Sequence, residues 1–151
     1  MEITKEMIQN ANDYISISEK EYMAEIIAET CIAESENGTF YERFAMKVMQ
    51  EGIFFLSAYL KVDVTIKENV SGQEQYDEYY KDHTFNQIER LKTDTDIKAK
   101  IFDILLDYKE FCKFVDKEIE RKLKEKNDLI LRAGKAIEQN PEILKKVEET
   151  K

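Results

Sequence analysis

Apolar residues recur at helical steps along most of this chain, and the pattern is clearest between Ile97 and about Leu131. There Ile97, Ile101, Leu105, Tyr108, Cys112, Val115, Ile119 and Leu123 follow one another at steps of four and three, the spacing of a single helix stripe. Phe102, Leu106, Phe111 and Phe114 widen that stripe, which predicts a buried helix from Ile97 to Ile119. Beyond it, Arg121, Lys122, Lys124, Glu125, Lys126, Asn127 and Asp128 surround one leucine. At roughly 1.5 Å per residue the whole helix would measure about 50 Å, longer than a compact domain of this size needs. We therefore expect a single helical domain with its core over about residues 1–119, and a projecting helix end and terminal segment over 120–151.

The same pattern predicts shorter elements upstream. Thr4 caps a first helix through about Ala11, with Met7, Ile8 and Ala11 inward. Ser18 with Glu21 reads as a capping box for a helix over about 19–34, whose inner face would be Tyr22, Met23, Ile26, Ile27, Thr30 and Cys31. Its outer face presents Glu21, Glu25 and Glu29 at successive i+4 steps. Asn37-Gly38 marks a turn, but its flanks do not alternate, so a link between helices is expected. Thr39 with Glu42 would cap the next helix, carrying Phe40, Phe44, Val48, Phe55 and Tyr59. Gly52 within it implies a kink or a close approach by a neighbour. Val62 to Ile66 reads as an extended linker, Ser71 with Glu74 opens a helix bearing Tyr76, Tyr79 and Tyr80, and Thr93 to Asp96 is a hinge into the long helix. Asn140-Pro141 opens a short terminal helix with Ile143, Leu144 and Val147.

Composition narrows the class. The 151 residues are 42% apolar and 36% charged, with only four glycines and one proline, so hairpin chemistry is scarce and an all-α bundle of about five helices is expected. No apolar run approaches the roughly 18 residues of a membrane span, and the N-terminus, with Glu2 and Glu6, lacks a signal-like apolar stretch. An intracellular, cytoplasmic location is expected. Cys31 and Cys112 lie far apart without metal or redox spacing and read as packed thiols. Net charge is −9, and residues 1–42, with ten acids against two bases, hold most of it. That distribution argues against direct nucleic-acid binding, which needs a basic footprint.

Motifs for chemistry are missing from the sequence. A ferritin-like site needs Glu-x-x-His, yet residue 80, three before the lone His83, is tyrosine. No phosphate-cradling glycine loop or nucleophile elbow is present, and the cysteines fall on inner faces. We expect no enzyme activity, no metal and no cofactor. Three clusters are candidates for interaction instead. They are the acidic stripe Glu21, Glu25 and Glu29; the aromatic group Tyr76, Tyr79 and Tyr80; and the basic stripe Lys113, Lys117, Arg121 and Lys124 on the long helix, read as an ion-pair face. After Ile119 the apolar positions Leu123, Ile130 and Ile137 keep a seven-residue step among charged neighbours, a pattern that needs a cover.

The Lys, Glu, Ile and Asn-rich composition, with the segments DYISISEKEYMAEIIAETC and TFNQIERLK, resembles in general character the small helical proteins of prophages and mobile elements in low-GC Gram-positive bacteria. That likeness is one of general character, and no catalytic or binding motif defines it. The expected function is a non-enzymatic protein-interaction or assembly factor, a homo-oligomer with an unidentified protein partner and no membrane contact. The alternative is an acidic inhibitor whose glutamate stripe mimics nucleic acid and blocks a basic groove on a host protein.

Overall fold

The computed structural model describes residues 1–64, 71–80 and 83–139, with side chains through Gly134. The fold is mostly helical, in the order α1 (Lys5–Asn10), α2 (Ile17–Thr30), β1 (Ile32–Glu34), β2 (Phe40–Glu42), α3 (Phe44–Phe54), a π-helical segment (Phe55–Tyr59), α4 (Gly72–Tyr80), α5 (Thr84–Leu91) and α6 (Lys98–Gln139). Among the described residues no helix is long and apolar enough to cross a membrane. The linker residues 65–70 and the terminal helix with Asn140, Pro141, Ile143, Leu144 and Val147 fall outside the described residues, as does the side chain of Ile137.

α6 is the axis of the body, as its periodicity predicts. Ile97, Ile101, Ile104, Phe111, Val115 and Ile119 are buried, and Leu105, Tyr108, Cys112, Phe114 and Leu123 pack at the margin of the same core. Phe102 and Leu106 do not widen the stripe as expected. They stand 62% and 56% exposed, because the buried face turns through Ile104 and Asp107 instead. α2 lies along this face with Ala24, Ile27, Ala28 and Cys31 inward, the small alanines allowing close helix approach. Tyr22 and Ile26, expected inside, are exposed, since Lys20 takes the inward position that apolarity assigned to them. The cap also differs: Ser16 Oγ, not Ser18, accepts from the Glu19 amide, and the helix ends at Thr30 rather than Glu34.

The residues after Thr30 correct a second expectation. Instead of a helical link they form an antiparallel hairpin, pairing Ile32 with Glu42, Ala33 with Tyr41 and Glu34 with Phe40. Asn37 and Gly38 turn it, with Gly38 at φ 87°, where a side chain would be strained. Three residues per strand are too few for alternation to be visible in sequence. What holds the hairpin is long-range: Asn127 of α6 accepts from the Phe40 amide at 2.9 Å and donates to the Phe40 carbonyl at 3.3 Å, pairing the edge a third strand would use. Thr39 and Glu42 therefore belong to the hairpin, and α3 starts at Phe44 without a side-chain cap.

Gly52 answers to close approach. A Cβ there would lie 2.9 Å from both the Tyr76 ring and the Tyr80 hydroxyl, and that hydroxyl donates to the Gly52 carbonyl. Directly after it the helix widens into the π segment, where the Leu60 amide bonds to the Phe55 carbonyl five residues back. At the helix end Asn12 takes up two of the last carbonyls, its amide donating to Tyr59 O and its side chain to Ala58 O, each at 2.8 Å. From this segment the Tyr59 hydroxyl donates to Asp107, 2.7 Å away.

Asp107 gathers the body around itself. Its Oδ1 accepts from Lys20 Nζ at 2.6 Å, and its Oδ2 accepts from the Tyr59 hydroxyl and, at 3.0 Å, from the Ile15 amide. Lys20 is fully buried, so truncating the aspartate strands an ammonium in the core. Asp107→Ala is expected to cost about 3–5 kcal/mol in urea unfolding. Ile104→Ala should cost about 2–5 kcal/mol and exceed Leu105→Ala, whose side chain is only half-buried. A loss under about 1 kcal/mol for Asp107→Ala would contradict this arrangement.

Candidate functional site

The acidic stripe of α2 meets bases of α6, but not those of the predicted basic stripe. Glu21, Glu25 and Glu29 are exposed along α2, but Glu29 lies 3.2 Å from Lys122 and 3.4 Å from Lys126, and Glu25 reaches Lys122 at 4.0 Å. The hydrogen bond from Lys122 holds the Glu29 carboxyl below its usual range. On the far side of α6, Arg121 bonds to Glu118 and Glu125 of its own helix, and these contacts raise its pKa further. Lys117 and Lys124 are exposed without an ion-pair partner among the described residues. The bases that engage α2 are thus Lys122 and Lys126, which the i+4 pattern passed over because they flank it.

The tyrosine group is divided. Tyr76 and Tyr80 stack at 4.5 Å, Tyr80 is tied to Gly52, and Tyr79 packs on the core. Burial raises the Tyr80 phenol pKa well above normal. With Phe55, Phe85 and Tyr108 this cluster forms a chain of ring contacts between 4.8 and 6.3 Å, which fastens α4 and α5 to the body.

Among the described residues no group of three His, Cys, Asp or Glu could hold a metal ion, and His83 is an exposed residue in a left-handed turn between α4 and α5. Both cysteines are free thiols. Burial pushes the Cys112 thiol up, helped by its hydrogen bond to Glu51, so it is a poor nucleophile. Glu51 is only 7% exposed and its Oε2 has no hydrogen-bond partner. A cavity of about 340 Å³ lies between α2, α3 and α4, lined by Met23, Met46, Met49, Ile53 and Phe54, with no charged group among the described residues of its wall.

One run of exposed apolar residues lies at the far end of α6. Leu123 packs half-buried against the core, and Asn127 is the last residue tied to the hairpin. Past it, Ile130 continues the line of Ile119 and Leu123 with Leu129 and Leu131 on either side, and these three are 37%, 63% and 62% exposed. The sequence signalled this through the seven-residue step, but Leu129 and Leu131 fell off that step and were missed. No family model matches the chain, and no curated protein or solved structure is significantly similar to it.

Glu51 makes the site testable by pH. Burial raises its carboxyl pKa above the ordinary value, so the folded state holds this proton more tightly than the unfolded state. Its stabilising share is complete below the unfolded pKa and is lost as pH rises through the folded one. Glu51→Gln is expected to raise the midpoint of thermal unfolding at pH 7–8 and to leave it unchanged near pH 4. Equal effects at both pH values would contradict the assignment.

Proposed function

We propose that this protein is a non-enzymatic assembly factor that acts by self-association through the overhanging end of α6. The observation that carries the reading is the core stripe of α6 running on, through Ile130 between Leu129 and Leu131, past the last residue that the described part of the body covers. An apolar band left exposed on an amphipathic helix gains free energy when another surface takes it, and such a patch marks an interaction site. The helix is already nucleated by the body, so the overhang is a preformed contact element that loses little entropy on docking.

The acidic-inhibitor alternative would need Glu21, Glu25 and Glu29 as an open row of carboxylates. Glu25 and Glu29 spend their charge on Lys122 and Lys126, which speaks for the assembly reading. Changing all three to glutamine is expected to alter stability by less than about 1 kcal/mol, as for exposed ion pairs generally.

Light scattering tests the proposal. Self-association predicts a mass near twice the 17.9 kDa of the chain, or above, that rises with concentration, and Ile130→Glu should return the monomer without loss of helical circular dichroism. A wild-type mass fixed at 17.9 kDa across the accessible range would overturn it.

A further inference from the structure

Independently of self-association, we infer that the cavity between α2, α3 and α4 binds a neutral, mainly apolar small molecule carrying one hydrogen-bonding oxygen, of the class of a medium-chain alcohol. Three helices build it. Met23 and Ile27 stand one turn apart on α2, Met46, Met49 and Ile53 recur at helical steps on α3, and Gln75 of α4 stands on the third side. The apolar side chains do not close the gap between the helices: Ile27 is buried, but Met23, Met46, Met49 and Ile53 are only half-buried. The space they leave, about 340 Å³, is roughly twice that of a cavity known to hold benzene.

The chemistry of the wall selects the ligand. With no charged group among the described residues lining it, a carboxylate or ammonium would be desolvated there without a counter-charge. Three thioethers suit an apolar body of adaptable shape, since methionine is unbranched, flexible and polarizable. Each part of the cavity left unfilled costs stability, and a bound apolar molecule recovers it.

Gln50 on the same wall supplies the polar contact. Its Nε2 donates to Met46 Sδ at 3.7 Å, the one hydrogen bond of this side chain among the described residues, and a thioether is a weak acceptor. A ligand oxygen is a better one, so the amide gains by exchanging the sulfur for it. The rival occupant is the chain itself, because Val64 and Gly72 both line the wall and residues 65–70 lie outside the described residues.

Competition against a fluorescent apolar probe tests this. N-phenylnaphthylamine, which is neutral and brightens in apolar surroundings, is expected to bind the full chain saturably and to be displaced by octanol. Met46→Trp and Met49→Trp fill the space and should each weaken the probe about tenfold or more, with circular dichroism and the thermal midpoint checking that each variant folds. Leu129→Glu with Leu131→Glu, at the exposed end of α6, should leave probe binding unchanged. Gln50→Met keeps the volume without the donor and should weaken octanol by about three- to tenfold while sparing the probe. Octanoate, with the same chain but a charge, should compete about tenfold less well than octanol or worse. Without saturable binding, the chain fills its own cavity and the inference falls. It falls equally if folded tryptophan variants bind as wild type does, if the α6 variant is the one that loses the probe, if octanoate matches octanol, or if Gln50→Met leaves octanol unaffected.

Discussion

Asp107 accepts hydrogen bonds from three groups far from it in sequence: the Ile15 amide before α2, the Lys20 ammonium within it, and the Tyr59 hydroxyl at the end of the π segment. Two apolar helix faces can slide past one another by a turn at modest cost, but only one register of α2 on α6 places Lys20 opposite Asp107. A buried ion pair adds little net stability over an apolar substitute, because desolvating both charges cancels much of their attraction. Its effect is on choice of structure. Any other register would leave a buried ammonium or carboxylate unpaired, and that penalty excludes it.

The π segment leads to the same hub. The Tyr59 hydroxyl at its end donates to Asp107, and Asn12 satisfies the carbonyls of Ala58 and Tyr59 where the helix stops. Burial and the adjacent carboxylate together push the Tyr59 phenol far above its normal pKa, so it remains a donor throughout the physiological range.

Legibility in the sequence tracked how local the determinant was. The α6 stripe, the Thr4 and Ser71 caps and the close approach at Gly52 rest on neighbours within a few residues or on a glycine's lack of side chain, and all could be read. Lys20 and Asp107 could not, since a charged residue reads as exposed until its partner, 87 positions away, is known. The hairpin was missed for a related reason: its edge is secured by Asn127, also 87 positions from Phe40. Among the interaction candidates, the seven-residue step located Ile130, while Leu129 and Leu131 became visible only once the body showed which faces it leaves bare.

α6 thus divides its length between two tasks. Up to Asn127 it supplies the core, the Asp107 hub and the anchor of the hairpin; beyond Asn127 it projects an apolar band that the described residues do not cover. Amide hydrogen exchange along α6 tests this division most directly. Residues 98–119 should exchange only through global unfolding at every concentration, while residues 129–139 should exchange fast in dilute solution and slow markedly as concentration rises. Equal, concentration-independent protection over the whole of α6 would mean that the band is covered within the single chain, and would contradict the account.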